Sequence, residues 1–226
     1  MSIGISVNRE KNGILLAYIA GRIPNVHLRK LLKIVYLIDE HFMKGRGFPL
    51  TWFDYYAWAK GPVAPEVYDI KNGAFGEFVA SHRSLDDKCV VNSVCDANKV
   101  ASGIMSSFSE YEITEIDKLI SDYGALTTDE LSDLTHQNDS VWTKVVSDNG
   151  LIFDKENTRS NLKINFKMLF AADDSRIDTY GDAIWNMELQ ARLLSNRNPQ
   201  NNIQLQVISP SEREKYVISG YSPVIP

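Results

Sequence analysis

Residues 28–43, LRKLLKIVYLIDEHFM, constrain this chain more than any other stretch. Leu28, Leu31, Leu32, Val35, Ile38 and Phe42 recur at helical spacing, and Ile34 and Leu37 carry apolar surface well around the cylinder. A helix apolar over so much of its circumference must sit centrally, with other elements wrapped around it. Gly45 and Gly47 stop it, and Asn25 is a candidate cap at its start. An earlier helix over 9–20, capped by Asn8, offers Ile14, Leu15, Tyr18 and Ile19 as the stripe that packs against it. The expected fold class is α+β, predominantly α-helical: a helical core, winged-helix-like, with a small β-sheet or wing and a helical C-terminal extension.

The central helix is followed by an aromatic run, Trp52-Phe53-Asp54-Tyr55-Tyr56-Ala57-Trp58, rich in β-formers and read as a turn into a short strand. Strand alternation would put Trp52, Tyr56 and Trp58 on one face and Phe53, Tyr55 and Ala57 on the other. A rigid turn follows, Lys60-Gly61-Pro62-Val63-Ala64-Pro65, and Pro65 suits the first turn of a short helix ending at Asn72-Gly73. Residues 78–80 and 89–92 read as the two strands of a wing, and 96–108 as loop.

Helical signals return at Ser109 and Glu112, a capping box ahead of Ile113, Ile116, Leu119, Ile120 and Tyr123, with Gly124 as C-cap. Thr127 and Glu130 form a second box for a helix to His136. Asn138 or Asp139 is the candidate cap for the turn carrying Val141, Trp142 and Val145. Gly150 and the polar stretch 154–161 suggest a boundary. This divides the chain into a domain over 1–150 and a C-terminal helical extension with a tail over 151–226, packed on the core. Residues 175–195 read as its helix, with Tyr180, Ile184, Met187, Ala191 and Leu194 on one face. Residues 196–202 are a composition break, 203–208 are strand-like, and the rest is tail.

The net charge of −5 is unevenly spread. Residues 1–72 hold ten Lys/Arg against six acids, and the remainder holds 14 against 23. A basic half of this size suits an acidic partner and is modest for a nucleic-acid binder. No run has the length or apolarity of a transmembrane helix, and no signal peptide is evident. Cys89 and Cys95 are the only cysteines, which suits reduced thiols in a cytoplasmic protein. The sequence calls for no metal and no cofactor. Asp39, His41 and His136 are the residues from which a hydrolytic site would be assembled, but Asp39 and His41 point to different helix faces. Asp39 reads better as a buried acceptor that ties down a loop, with Lys33, the Tyr55 and Tyr56 hydroxyls or loop amides as donors. His136 reads as a helix-end residue that packs on Trp142.

Residues 31–39 (LLKIVYLID), Pro49-Leu50-Thr51, Tyr56-Ala57-Trp58, Gly61-Pro62-Val63 and Tyr68-Asp69, followed by Leu134-Thr135-His136 and Trp142, resemble the Panacea domain. That family comprises phage-associated proteins and antitoxins of toxin–antitoxin pairs. The resemblance spans a little over half the chain and departs from the pattern at Lys60, where an aromatic residue is expected before Gly-Pro-Val. It implies a bacterial antitoxin, not an enzyme, that neutralises a cognate toxin encoded next door by direct protein contact, with a role in phage defence. It also implies a second route, in which the toxin is delivered to a protease. Tyr55, Trp58, Lys60, Gly61, Pro62 and Tyr68 are the expected toxin-binding residues: Tyr55 and Lys60 in direct contact, Trp58 and Tyr68 as buried supports. Asp39, Thr135, His136 and Trp142 are the expected structural or motif residues. Two alternatives compete with this reading: a winged-helix DNA-binding transcriptional regulator and a hydrolase using Asp39 and His136.

Overall fold

The computed structural model describes residues 2–195, and the expectations for the composition break, the strand-like run at 203–208 and the tail lie outside the described residues. The elements run α1 (Ile3–Arg22), β1 (Val26–His27), α2 (Leu28–Arg46), β2 (Tyr56–Trp58), β3 (Gly61–Val63), α3 (Pro65–Tyr68), β4 (Val79–Arg83), β5 (Cys89–Ser93), α4 (Ala97–Ser107), α5 (Glu110–Ala125), α6 (Thr128–Thr135), α7 (Val141–Asp148) and α8 (Arg176–Ser195). Two short 3-10 turns, Asp69–Asn72 and Phe166–Leu169, complete the set. The fold is α+β and predominantly helical. Its sheets are small and antiparallel, one of order β1-β5-β4 and one the β2-β3 hairpin.

The central helix is α2. Every residue from Leu31 to Asp39 is buried, and α1, α5 and α6 all pack on it. Its C-terminus is closed by Gly47 in the left-handed region, φ 85°. Arg46 at that end pairs with Glu112 at 2.6 Å, and Glu112 is also the capping-box residue that accepts from the Ser109 backbone N–H. One carboxylate thus closes the start of α5 and fastens it to the end of α2. The second box, Thr127 with Glu130, is present on α6.

Several local expectations differ from the structure. α1 begins at Ile3, and Asn8 is a non-helical kink inside it rather than its cap. Asn25 adopts φ 55° and precedes β1, so His27 occupies the N-cap position of α2. Gly124 lies within α5, whose C-cap is Leu126. Ser140, not Asn138 or Asp139, caps α7. Residues 97–107, expected as loop, form α4, started by the Asp96 side chain accepting from the Lys99 N–H. The wing expected over 78–92 is the β4–β5 hairpin, with Val26–His27 adding a third strand beside β5.

Beyond residue 150 the chain returns to the aromatic run. Ala59 N–H donates to Thr158 O, Ala57 N–H to Leu162 O and Ile164 N–H to Tyr55 O, so residues 158–164 line the free edge of β2. Phe166 stacks on Tyr36 with centroids 5.5 Å apart, and Tyr180 of α8 stacks on Trp52 at 5.7 Å. Residues 2–194 cluster as one compact unit. Truncation after Gly150 removes the buried Ile164, Phe166 and Met187. The loss of one buried aromatic ring alone costs about 3–5 kcal/mol, so the melting temperature should fall by roughly 10 °C. A calorimetric scan checks this, and an unchanged transition would make residues 151–194 an independent arm.

Candidate partner-binding groove and the polar contacts behind it

Two polar residues lie within the fully buried part of α2, and each has to be satisfied from outside the helix. Asp39 is 0 % exposed. Its Oδ1 accepts from the backbone N–H groups of Leu50 and Thr51, both at 2.8 Å. Its Oδ2 accepts from the Thr51 hydroxyl and from the Tyr55 hydroxyl, the latter at 2.7 Å. Burial still outweighs these four donors and holds the carboxyl above its ordinary value. The same burial, together with the Asp39 charge, pushes the Tyr55 hydroxyl well up, so that it remains a donor. Asp39 is therefore a scaffold acceptor for the 50–55 loop, and Lys33 is not among its donors.

Lys33 faces another way. Its Nζ donates to Thr135 Oγ1 at 3.3 Å, and Thr135 in turn donates to Ser132 O at 2.9 Å. Gly61 lies directly against this ammonium at φ 101°, a conformation that favours glycine. A Cβ at Gly61 would sit 1.9 Å from Lys33 Nζ and 2.9 Å from both His136 Nε2 and Thr135 Oγ1. Burial lowers the Lys33 pKa to about 7, with a smaller push from Arg29. Burial and the Lys33 charge lower His136 to about 4, so its ring is neutral near pH 7. His136 stacks on Trp142 with centroids 3.9 Å apart, and Trp142 Nε1 donates to Trp58 O at 3.0 Å. Thr135, His136 and Trp142 thus hold the Gly61-Pro62 turn and the end of β2 in place. No hydrogen bond joins Asp39 to His136 among the described residues, and each is engaged by different neighbours.

In front of this turn lies a groove of about 1280 Å³, bounded by the start of α2, the Trp58–Lys60 turn, Tyr68 with Lys71, the β4–β5 hairpin and Arg159. Seven Lys/Arg line it against two Asp, a surplus of five positive charges. Trp58, Lys60 and Tyr68 belong to its wall. Trp58 and Tyr68 are half-buried and packed edge to face at 5.0 Å, so both reach the surface instead of serving as wholly buried supports. Lys60 is exposed. Gly61 and Pro62 are buried and shape the turn from behind.

Tyr55 is a correction. It was expected in direct contact with a partner, yet it is 1 % exposed because its hydroxyl is bound to Asp39 and its ring packs on Tyr36 and Phe166. Strand alternation does not extend back to Trp52, which has φ 58° and is buried between Phe48 and Tyr180. Sequence reasoning named Lys33 only as a donor to Asp39, not as the partner of Thr135 beside Gly61, and it missed Arg159, which lies in a polar stretch read as a boundary. A lysine at helical spacing with the apolar stripe was the available signal for the first. The second had none.

Among the described residues no group of three or more His, Cys, Asp or Glu is placed to hold a metal ion. Cys89 and Cys95 are free thiols. No helix among the described residues is long and apolar enough to cross a membrane.

The folded Lys33 releases its proton near pH 7, whereas an unfolded lysine holds it to above 10. Between these values the unfolded state binds more protons, so stability rises with pH and is lost as pH falls back towards 7. Lys33→Met should remove that rise and stabilise the fold at pH 7 and below by on the order of 2–4 kcal/mol. His136 works at lower pH: its folded pKa of about 4 makes the native state lose stability as pH falls from about 6.5 towards 4. Urea titrations of wild type and Lys33→Met across both windows test this. Parallel pH profiles would refute the assignment to Lys33.

A family model described as "Antitoxin SocA-like, Panacea domain" matches residues 31–143, half of the chain. No curated protein and no solved structure matches it. The matched span begins inside α2 and ends inside α7, so it takes in the Asp39-bound loop, the Gly61 turn and the Thr135–His136–Trp142 supports. The chain belongs to the SocA-like antitoxin family of Panacea-domain proteins.

Proposed function

We propose that this protein is a cytoplasmic antitoxin that neutralises a cognate toxin by direct protein–protein contact, and that the groove beside the Gly61 turn is the contact surface. Family membership supplies the antitoxin class. The observation that carries the choice of surface is the wall formed by Trp58, Lys60 and Tyr68, three residues expected from the sequence at the toxin-binding site, Lys60 as a direct contact and the two rings as supports. Aromatic and cationic side chains on a rigid support are the residues in which binding energy concentrates. Gly61 and Pro62 are held from behind by Lys33 and Thr135, so little ordering entropy is lost when a partner docks. Asp39 and His136 contribute to this scaffold. The carboxylate accepts from four donors and the imidazole stacks on Trp142, which suits both to a supporting role.

The α2 helix is poorly suited to reading DNA. Lys33 is buried, Arg29 is paired with Asp129 at 2.6 Å and Lys30 donates to Gly124 O at 2.7 Å.

Co-expression with the products of the neighbouring genes tests the proposal. One of them should arrest growth alone, and wild-type protein should restore growth and co-purify with it. Failure to rescue any neighbour would remove the antitoxin reading. Toxin half-life in rescued cells separates the two routes: it is unchanged by sequestration and shortened, in a protease-dependent way, by delivery to a protease. Lys60→Glu should leave the fold intact and weaken the complex by about 1–3 kcal/mol. Tyr55→Ala should fail earlier, by unfolding, because it leaves Asp39 short of a donor in a fully buried site.

A further inference from the structure

Resting on the antitoxin reading, we propose that the groove receives an acidic segment of the toxin, whose carboxylates are held by Lys71 and Arg159 on the Trp58–Tyr68 platform and by Lys60 at the turn. The cations of this groove fall into two groups. Arg29, Arg83 and Lys88 are engaged by Asp129, Asp87 and Asp86, and Lys30 by the Gly124 carbonyl. Lys60, Lys71 and Arg159 have no Asp or Glu partner among the described residues. Two of these three are nevertheless positioned. Lys71 Nζ lies 3.9 Å from the centroid of Tyr68, and the Arg159 guanidinium lies 4.6 Å from that of Trp58 and 5.2 Å from that of Tyr68. Arg159 also donates to the Tyr68 hydroxyl at 3.1 Å. Ring faces hold these cations where carboxylates would otherwise do so, which leaves donors and charge available to an incoming anion. Hydrogen bonding by Lys71, with the charges of Lys71 and Arg159, draws the Tyr68 hydroxyl below its ordinary pKa.

Size and surroundings select the kind of anion. About 1280 Å³ exceeds the roughly 300–1,000 Å³ usual for a small-molecule pocket, so an extended segment fits better than a metabolite. Ile23 and Pro24 present apolar surface beside the cations, over the buried Leu28, Leu32 and Val63, so a segment that mixes acidic and apolar side chains meets both kinds of contact. Single-stranded nucleic acid would need bare aromatic faces for base stacking. Here the face of Trp58 carries Arg159 and that of Tyr68 carries Lys71. The forked guanidinium suits a bidentate carboxylate.

The site is also shared between two parts of the chain. Lys60, Trp58, Tyr68 and Lys71 lie within the matched family domain, whereas Arg159 lies beyond residue 143, where the match ends. The Ala59 N–H to Thr158 O bond at 2.9 Å holds this outer segment against the turn. Residues outside the family domain thus complete the anion site and add selectivity for an acidic partner.

Two arms test the proposal with the full-length protein. In the first, fluorescence anisotropy follows binding of a labelled alternating Glu-Leu peptide, its Gln-Leu counterpart and oligo-dT at physiological ionic strength. The Glu-Leu peptide should bind, the Gln-Leu peptide should not, and Lys71→Glu/Arg159→Glu should weaken binding about tenfold or more. The control Lys118→Glu/Lys155→Glu makes the same charge change at exposed positions outside the groove and should bind like wild type. Circular dichroism verifies folding, and Lys71→Gln/Arg159→Gln serves as a milder pair. No binding of the Glu-Leu peptide by wild type, equal binding by the groove variant, or preference for oligo-dT overturns the proposal. In the second arm the same variants are co-expressed with the toxin. Rescue by wild type but not by the folded groove variant supports the proposal. Full rescue by the folded groove variant overturns it and leaves the antitoxin reading standing. If wild type rescues no neighbour, the antitoxin reading falls, and the peptide arm still decides whether the groove takes acidic segments.

Discussion

Burial of α2 on every side governs the rest of the structure. Successive helical residues turn by about 100°, so a run of buried residues from Leu31 to Asp39 covers the whole circumference. Packing of that kind leaves no solvent for the two polar side chains in the run. Each must find partners in another segment, because an unpaired buried charge costs several kcal/mol. Asp39 draws in the amides of residues 50 and 51 and the hydroxyls of Thr51 and Tyr55. Lys33 draws in Thr135 and leaves space beside its ammonium that only a glycine, Gly61, fills. The loop from 50 to 61 is therefore pinned near both ends by charges on one helix. Trp58 and Lys60 reach the groove because the chain between those pins has little freedom to go elsewhere.

The groove has the opposite electrostatic character to the chain that contains it. A protein of net charge −5 concentrates a surplus of five positive charges in one concavity. Such a contrast steers an acidic partner and repels acidic surfaces from other faces, which favours one docking orientation. That surplus already discounts Asp87 and Asp129, which pair with Arg83 and Arg29, and Asp86 on Lys88 trims it further. The cations nearest Trp58 and Tyr68 are held by aromatic rings, so field and preformed geometry coincide at the platform.

The legibility of the fold followed the range of the forces involved. Capping boxes at Ser109 and Thr127, Pro65 at the start of α3, Gly47 after α2 and the β4–β5 hairpin depend on residues a few positions apart, and the structure has each of them. α4 was missed because its inward stripe is only Val100 and Ile104. What seats that helix is a distant contact, Gly103 lying against Ile14 of α1. Tyr55 was misplaced for a similar reason. Its sequence context, between aromatic neighbours and a turn, resembles an exposed hot spot, and only the long-range bond to Asp39 makes it core. Lys60 and Tyr68 were singled out because a rigid Gly-Pro turn is a local signal, and both lie on the groove wall. Arg159 was not, because its role depends on residues 158–164 folding back along β2, a pairing with no pattern of its own.

Asp39 and Lys33 solve the same burial problem with unequal success, and the difference bears on why a lysine is tolerated there. Asp39 has four donors and fixes a loop deep in the core. Lys33 has one hydrogen bond among the described residues, to Thr135 at 3.3 Å, and burial lowers its pKa to about 7, so its charge costs stability at pH 7 and below. A methionine would fill the same volume without that cost. By filling that volume it would also keep the approach of the chain at Gly61 close and unbranched, so the exclusion is one of volume. The ammonium beside Gly61, with Thr135 and His136 around it, excludes any turn that brings a side chain to that point. The side chain at position 33 therefore acts by excluding alternatives, and its ammonium adds the hydrogen bond to Thr135 that ties α2 to α6 beside the turn. The turn it specifies is the one that aims Trp58 and Lys60 into the groove.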